Sequence, residues 1–458
     1  MLFLVPLFVA TGTSRKNRIY PWGVNRRAFL YNACCLTGCS LFSAAGQAAA
    51  SLGAIVYVQK DGLWLRQLSA GMPRLLMRGV DIVKPRFSPS GKWVSCFHGS
   101  RLHVLSLAGD QAHVLGCAMD EDDPDAQWSP AGDAVALETK DGIDIFSAEN
   151  QWGGAIHRIA LAGLPLLFSL DGQEIVFADS KEIPGKHGDQ DSRRLGRICR
   201  LSLQNAQAPR QVLIAENWIY PIPAAWNPRR GEIYFWQDQD FSGSVRADGL
   251  ELAAISDKGG PAHSLGITTL VFNDMLALSP VQDQLLACDG SDRNTWEQKR
   301  IALVNLQTQS KRYLSGKSMA AATPCWSPVG DRIVYAAALA GHTSGGEDAR
   351  VLMARRRLWI VDLQPESAPT LLTHDPRYRD EAPIWSADGT HILFGRISPD
   401  GRKSLWIMTT SGANLQQVTG TLPIYDGHVG ASWRSEESWF GYYGHIDWTD
   451  AFDWWQRV

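Results

Sequence analysis

A short turn motif, an aromatic residue followed by Ser-Pro-x-Gly, recurs along this chain. Intact copies occupy residues 87–91 (FSPSG), 128–132 (WSPAG) and 326–330 (WSPVG). Weaker or degenerate copies complete the series, at residues 168–172 (FSLDG), 226–231 (WNPRRG), 278–281 (LSPV), 385–389 (WSADG) and 433–435 (WRS). Successive copies are about forty to sixty residues apart, and self-similarity at such a period is typical of repeat architectures.

Each repeat also contains further short runs of strand-forming sequence. β-Branched and aromatic residues follow the turns, for example at 175–177 (IVF), 233–235 (IYF) and 333–335 (IVY). An alternating third run follows, as at 358–363 (LWIVDL), and a fourth run closes most units. Four short strands per unit, separated by turn signals, predict an all-β propeller of four-stranded blades. The aromatic residue of each motif is expected on the innermost strand, packed between neighbouring blades.

The two ends of the repeat region are complementary. Residues 55–76 contain three strand-like runs without a first strand, and residues 431–433 (ASW) resemble the missing innermost strand. Pairing them would join the N- and C-terminal strands and remove the exposed edges of an open ring. Seven complete units and this composite favour eight blades; in a seven-bladed alternative the weak unit at Leu278 is dropped. The Ser-Pro-Asp-Gly at 398–401 follows Ser386 so closely that we expect a hairpin turn within one blade.

The first fifty residues are typical of an export leader. They contain no acidic residue, and Arg26 and Arg27, one spacer and Phe-Leu resemble the twin-arginine signal. The apolar stretch that follows ends in Ala-Ala-Ala at 48–50, a small-x-small cleavage site. We therefore expect a leader at residues 1–50, the propeller at 51–445 and a C-terminal tail at 446–458.

Three alternatives for this N-terminal region remain open. A membrane anchor is disfavoured because polar residues interrupt the apolar stretch. Residues 36–39 (LTGC) match a bacterial lipobox, so Cys39 is a candidate for lipidation, which would anchor the protein to a membrane. The true translation start could also lie downstream, near Val24.

The charge of the mature chain limits its partners, and the spacing of its cysteines limits its disulfides. Removing the five basic residues of the leader changes the net charge from 44 − 47 = −3 to 39 − 47 = −8. An acidic protein is a poor ligand for nucleic acid or anionic membranes, and we expect no transmembrane segment in the mature chain. The five remaining cysteines are widely spaced, which predicts buried free thiols rather than a disulfide framework.

The aromatic-Ser-Pro-x-Gly turn, followed by a strand and then by a Leu-Trp run, resembles the WD40-like repeat of TolB-type propellers. The resemblance covers about residues 54–443, and the same repeat occurs in the propellers of prolyl-oligopeptidase-like peptidases. It implies a periplasmic or cell-envelope propeller, since TolB-type proteins bind a peptidoglycan-associated lipoprotein there. It also implies departures: the small α/β domain that precedes a TolB propeller is missing, and the blade count is higher. The hydrolase domain of the peptidases has no counterpart, since no Gly-x-Ser-x-Gly occurs.

Motifs for catalysis and cofactor binding are scarce, and no cofactor is expected. Residues 316–318 (GKS) match only the end of a phosphate-binding loop, because position 311, where its first glycine belongs, is lysine. The histidines are scattered, which leaves a metal site assembled from several blades as an alternative. The acidic run at 120–125 (DEDDPD) could bind calcium, but it lacks the spacing of a calcium loop and is better interpreted as a solvated loop.

Loop lengths indicate where binding is expected. Long connections between second and third strands are predicted at 179–197, 237–250, 289–299 and 338–357, all on one face. Connections between blades on that face carry aromatic and charged residues, the types that dominate protein-binding hot spots. The candidate partner-binding residues are Trp218, Tyr220, Tyr378, Arg379, Asp380, Tyr425, Asp426 and His428. Two alternatives need no partner. The long loops can be insertions that the fold tolerates, and the aromatic residues can pack between blades. The basic run at 355–357 could meet an acidic partner, although a solvated strand end is the plainer interpretation.

The sequence therefore favours an exported, non-enzymatic propeller that binds a protein or peptide on its long-loop face in the cell envelope. The main alternative is a propeller enzyme, a lyase or hydrolase that acts on a glycan or peptide in the central channel. A scaffold or assembly factor for an exported complex is a third hypothesis.

Overall fold

The computed structural model describes residues 52–69, 71–120, 124–160, 165–185, 188–206, 209–217, 219–239, 248–343, 345–364, 366–424 and 441–456 of the 458-residue chain. Those residues form eight four-stranded antiparallel sheets, the blades of a closed β-propeller. The prediction of an all-β, eight-bladed propeller is confirmed, and the seven-bladed alternative is wrong. The predicted leader, with Arg26, Arg27 and Cys39, lies outside the described residues, so export and lipidation stay predictions.

The strands follow one another along the chain as consecutive meanders. Blade 1 begins with β1 (Ala54–Gln59), β2 (Gly62–Gln67) and β3 (Arg74–Arg78). Blades 2 to 4 contain β4 (Ile82–Phe87), β5 (Trp93–His98), β6 (Arg101–Ser106), β7 (Ala112–Cys117); β8 (Ala126–Trp128), β9 (Ala134–Thr139), β10 (Gly142–Ser147), β11 (His157–Ala160); and β12 (Leu166–Phe168), β13 (Glu174–Gly185), β14 (Gly188–Ser202), β15 (Gln211–Asn217).

The second half of the ring repeats this plan. Blades 5 and 6 contain β16 (Tyr220–Asn227), β17 (Glu232–Asp238), β18 (Gly249–Ser256), β19 (His263–Leu270); and β20 (Leu276–Leu278), β21 (Gln284–Asp289), β22 (Arg300–Asn305), β23 (Lys311–Tyr313). Blades 7 and 8 contain β24 (Met319–Trp326), β25 (Arg332–Leu339), β26 (Arg357–Asp362), β27 (Thr370–Leu371); and β28 (Arg379–Trp385), β29 (His391–Ile397), β30 (Lys403–Thr409), β31 (Gln416–Gln417).

Blade 1 is completed by β32 (Phe452–Trp455), which pairs antiparallel with β1 from Ala54↔Trp455 to Tyr57↔Phe452. The predicted pairing of N- and C-terminal strands is therefore confirmed. The expectation that residues 431–433 supply the closing strand is wrong, because β32 takes that place; residues 431–433 lie outside the described residues. β32 lies within residues 446–458, for which the sequence predicts a tail.

Two ambiguous copies of the repeated motif are resolved. Leu278 ends the short inner strand β20, so the weakest unit is a genuine blade. The turn at 398–401 connects β29 to β30 within blade 8, as predicted, and Gly401 N donates to Ser398 O at 2.9 Å.

The repeated turn closes the first hairpin of a blade through its serine and glycine. In blade 7, Gly330 N donates to Ser327 O at 2.9 Å, and the Ser327 hydroxyl accepts from Arg332 N at 3.0 Å. The equivalent hydroxyl bond at Ser386 measures 2.8 Å. Gly330 has a φ of +71°, which glycine adopts without strain. A Cβ there would lie 2.6 Å from Val281 on the neighbouring turn, so the motif also fixes the distance between blades.

The hydrophobic core is divided among the interfaces between blades. A cluster of buried side chains lies at each of the eight interfaces. The aromatic residues before the turns belong to these clusters, as predicted: Phe87, Trp128, Trp326 and Trp385 are buried. Trp326 Nε1 of blade 7 also donates to Ala277 O of blade 6 at 2.9 Å. Since each blade buries its faces only against its neighbours, the ring is one cooperative unit.

The antiparallel order gives the ring two different faces. Hairpins between first and second strands, and between third and fourth strands, lie on one face, here called the turn face. Connections between second and third strands, and between blades, lie on the opposite, long-loop face.

Two predicted long loops on this face are partly regular structure. Residues 179–197 are mostly a β-ribbon, because β13 and β14 continue pairing from Ala178↔Ile198 to Gly185↔Gly188 and so satisfy their own backbone hydrogen bonds. Residues 338–357 include helix α1 (Gly346–Met353).

Cysteines and helices are consistent with this architecture. All five cysteines among the described residues are free: Cys96, Cys199 and Cys288 are buried, Cys325 is half-buried and Cys117 is exposed. Burial raises the pKa of Cys96 to about 12, so its thiol is neutral and unreactive at neutral pH. Across the ranges described above, no helix has the length and apolar character needed to cross a membrane.

Candidate functional site at the mouth of the channel

The inner strands of three blades carry the same bulge. Lys84, Thr323 and Ala382 have φ values of 51°, 52° and 51°, and each is followed by proline. The strand pairing shifts register at each of these positions. Bulges re-aim the chain next to functional sites, and in β28 the bulge directly follows the charged residues 379–381. A proline two positions before the motif's aromatic residue is the sequence signal for this bulge.

Residues 441–451, here called the clasp, precede β32 and lie at the mouth of the channel on the long-loop face. At one end, Thr295 N of the β21–β22 loop in blade 6 donates to Tyr443 O at 3.0 Å. At the other end, the Arg86 guanidinium of blade 2 donates to Thr449 O and, at 3.0 Å, to Thr449 Oγ1. Between these two contacts the clasp also binds blade 8, where Gly444 O accepts from Arg379 at 3.0 Å, before it enters β32 of blade 1.

Glu381 is the centre of a buried ion network beneath the clasp. Its Oε2 lies 3.0 Å from Arg356 Nη1 and 2.7 Å from Arg379 Nη2, while Oε1 accepts from Trp448 Nε1 at 3.0 Å. Side-chain exposure is 4% for Glu381, 3% for Arg356 and 0% for Arg379. Burial raises the pKa of Glu381, but the two guanidinium groups and the Trp448 hydrogen bond outweigh it and hold this pKa below its usual value.

The two arginines of this network also bind backbone carbonyls. Arg379 Nη2 donates to Gly444 O at 3.0 Å, and Arg356 Nη2 donates to Thr295 O at 3.1 Å. Arg357 donates to Ala354 O at 2.9 Å and is likewise buried. The expectation of a solvated basic strand end at 355–357 is therefore wrong for its last two residues, because they are used internally.

A second buried ion pair lies beside the first. Arg396 Nε and Nη2 contact Asp380 Oδ1 and Oδ2 at 2.7 and 2.9 Å, a bidentate arrangement. The Arg396 guanidinium also lies 4.7 Å from the ring centre of Tyr378 and 4.9 Å from that of Trp406. Tyr378 and Trp406 are both half-buried, so each of these two rings has an edge that reaches solvent.

His445 fixes the clasp in a separate pocket. Its imidazole stacks on Phe272 with ring centres 3.8 Å apart and an interplanar angle of 11°. Its Nε2 lies 2.9 Å from both carboxylate oxygens of Asp274. Burial lowers the pKa of His445, but the charge and hydrogen bond of Asp274, with Asp447 and Glu381 farther away, outweigh it and raise the pKa overall. Folded protein therefore favours the imidazolium.

The Trp448 side chain packs against a glycine of blade 8. Its indole lies against Gly395 of β29 so closely that a methyl group on Gly395 would overlap the ring. The same indole is 2% exposed and belongs to the cluster between blades 8 and 1.

Gly395→Ala is expected to destabilise the protein by about 1–3 kcal/mol, because overpacking a filled core forces neighbours to move. Urea unfolding followed by circular dichroism measures this change. Gly109→Ala is the matched control, since no atom lies within 4 Å of a Cβ placed there. An equal effect of both substitutions would show that the contact with Trp448 is not tight.

The rim above the clasp presents aromatic and charged groups. Arg293 of the β21–β22 loop contacts Asp248 at 2.5 Å, and its guanidinium lies 5.2 Å from the ring centre of Tyr443. The Arg293 side chain is 46% exposed, and Tyr443 is half-buried. Loops of blades 5 and 6 and the clasp therefore meet in one accessible surface.

The structure describes only some of the predicted partner-binding residues. Tyr220 begins β16, is half-buried and packs against the cluster between blades 5 and 6. Tyr378 is half-buried, whereas Arg379 and Asp380 are 1% and 0% exposed and bind other groups of the chain. The remaining candidates, Trp218, Tyr425, Asp426 and His428, lie outside the described residues. Partner binding by these residues stays a prediction.

Sequence reasoning missed the residues that organise the mouth, namely Arg293, Glu381, Tyr443, His445 and Trp448. The available signal is the aromatic and glycine-rich stretch at 439–444, which fits no copy of the repeat. No three His, Cys, Asp or Glu side chains within the described ranges are grouped to hold a metal ion. The acidic run at 120–125 is described only in part, so calcium binding there stays a prediction.

Comparisons with known proteins show a likeness of fold only. The sequence matches no protein-family profile and no curated protein sequence. TolB from Acinetobacter baumannii is similar in structure: it is 15% identical, with a TM-score of 0.35, over 81% of this chain and 65% of that chain. This chain thus spans less than two thirds of the TolB structure.

Two further solved structures are also similar in fold at low identity. A eukaryotic initiation factor is 12% identical, with a TM-score of 0.49, over 81% of this chain and 96% of that chain. An oligogalacturonate lyase in complex with manganese is 13% identical, with a TM-score of 0.40, over 76% of this chain and 82% of that chain. Because one fold hosts unrelated functions, these likenesses assign neither family nor activity.

Proposed function

We propose that this protein is an exported, non-enzymatic propeller of the cell envelope that binds a protein or peptide on its long-loop face. The observation that carries the proposal is the clasp on the long-loop face. Since residues 441–451 are bound there to blades 6, 8 and 2, the clasp and the loops beside it form one ordered surface that a ligand can meet. The export part of the proposal rests on the leader residues Arg26 and Arg27 and on the cleavage site at 48–50.

The described rim has the composition of a protein-binding surface. Tyr378, Tyr443 and Arg293 each have an exposed part, and each is oriented by a defined neighbour: Arg396, Arg293 and Asp248 respectively. Tyr and Arg dominate binding hot spots because they combine apolar area with a polar group. Preorganised side chains also lose less conformational entropy on binding. Trp218 and Tyr425, which lie outside the described residues, stay candidates for the same binding role on the sequence alone.

The test is affinity capture from envelope extracts with the mature chain as bait, followed by measurement of the binding constant for the recovered protein. Tyr378→Ala, Tyr443→Ala and Arg293→Ala are expected to weaken binding, with about tenfold or more for a hot-spot residue. Met72→Ala and Val329→Ala are matched controls, since both residues are exposed on the turn face. A partner that is retained by all three rim variants, or lost with the turn-face controls, would contradict the assignment of the surface.

A further inference from the structure

The clasp is held by two kinds of contact that respond differently to pH. Its carbonyl groups accept from Thr295 N, Arg379 and Arg86, and none of these donors titrates near neutral pH. His445 is different, because imidazole changes its charge in that range. Its partner Asp274 belongs to the 3₁₀ turn Asn273–Met275, at the connection between blades 5 and 6.

We propose that residues 441–451 form a pH-responsive clasp, which is held tightly against the blades at the channel mouth when His445 is protonated and loosens when that proton is lost. The imidazolium pairs with a carboxylate that contacts it through both oxygens. After deprotonation one N–H can still donate to Asp274, but the attraction between opposite charges is gone. The aromatic face of Phe272 also attracts a cation more strongly than a neutral ring.

The groups around His445 set the direction of the effect. Acidic groups facing it are Asp274 in the 3₁₀ turn, Asp447 in the clasp and Glu381 in β28. Basic groups on the elements packed against the clasp are Arg86, Arg379, Arg356, Arg293 and Lys299. Arg379 and Arg356 are neutralised in part by Glu381, and Arg293 by Asp248. Asp274 is the acidic group in direct contact with the imidazole. The net electrostatic effect of these groups favours the protonated form of His445.

The sign of the pH dependence follows from linkage. Since the folded protein raises the pKa of His445, it binds this proton more tightly than the unfolded chain does. The stabilising contribution is fully present below about pH 6.5, the ordinary value for histidine. It is lost as the pH rises through the folded-state value. The clasp is therefore tightest below about pH 6.5 and loosest once the pH has passed the folded-state value, and its release would expose the side chains beneath it, such as Trp296 and Met353.

Hydrogen exchange of the full chain at pH 6.0 and pH 8.5, corrected for the intrinsic exchange rate, tests the proposal. Protection of peptides within 441–451 is expected to fall by roughly threefold or more between the two conditions, while peptides of β5 change little. In His445→Gln and Asp274→Asn this difference should disappear. His374→Gln, at an exposed position, should keep the wild-type dependence.

Equal clasp protection at both pH values in the wild type, or an unchanged difference in both clasp variants, would overturn the proposal. If His445→Gln fails to fold, histidine NMR of the wild type and Asp274→Asn decides. A histidine signal that titrates above pH 6.5 and moves to lower pH in Asp274→Asn is the expected result. The absence of such a signal excludes the mechanism. Neither measurement depends on a binding partner, so the proposed function is tested separately.

Discussion

Deleting residues 452–458 is expected to abolish the cooperative thermal unfolding of this protein. The deletion removes β32, the inner strand of blade 1, and with it Phe452 and Trp454, which are each 2% exposed. Loss of one buried aromatic side chain costs about 3–5 kcal/mol, and a whole domain is stable by only about 5–15 kcal/mol. Phe87 N would also lose its bond to Asp453 Oδ2 at 2.7 Å, which joins blades 1 and 2.

Circular dichroism melting and size-exclusion chromatography measure the outcome. The deletion variant should aggregate or melt without a sharp transition. Deleting only residues 457–458 is the control and should leave the melting temperature unchanged. Phe452→Ala tests the same strand with the chain length kept and should lower stability by about 3–5 kcal/mol. Unchanged melting of the 452–458 deletion would mean that the ring does not depend on β32.

Glu381→Gln is expected to destabilise the protein by about 3–5 kcal/mol, since removing one partner of a buried ion pair leaves the other charges uncompensated. The amide keeps the shape of the side chain, but Arg356 and Arg379 lose the carboxylate that both contact. Glu366→Gln makes the same chemical change at an exposed position. It should alter stability by less than about 0.5 kcal/mol.

The stability difference between the wild type and Glu381→Gln is expected to depend on pH in a definite direction. The network lowers the pKa of Glu381 below its unfolded value, so its contribution is present above about pH 4.3 and is lost as the pH falls through the folded-state value. Urea unfolding at pH 7 and at pH 3.5 should therefore show a larger gap between wild type and Glu381→Gln at pH 7. A constant gap would indicate that the carboxylate charge is not what stabilises the mouth.

The repeat predicted the inner strands well because the turn that follows them has strict requirements. Serine and glycine at fixed positions follow such strands, as after Trp326 and Trp385, and the intact copies add a proline. β32 escaped detection because its hairpin partner, β1, lies at the other end of the sequence. No turn of this kind joins the two strands, so the signal that marks the others is absent. Residues 431–433 resembled the motif by a Trp alone.

The site was predictable only where its residues lie next to a repeat. Arg379 and Asp380 were identified because they precede an inner strand. Glu381 was not, because its partners Arg356 and Trp448 are 25 and 67 residues away and belong to different elements. Likewise, no local pattern brings His445 to Asp274, which lies 171 residues earlier. Charge networks assembled from several blades depend on closure of the ring, and sequence periodicity does not encode them.

The composite blade has a consequence for biosynthesis. β1 leaves the ribosome before the other strands of the ring, whereas β32, its partner, follows 452 − 57 = 395 residues later. At about 5–20 residues per second this interval lasts roughly 20–80 s. Throughout that time one edge of β1 is unpaired, and such edges recruit other strands. The ring therefore closes only after β32 has been synthesised, and termination before β32 yields an open array of blades rather than a smaller working ring.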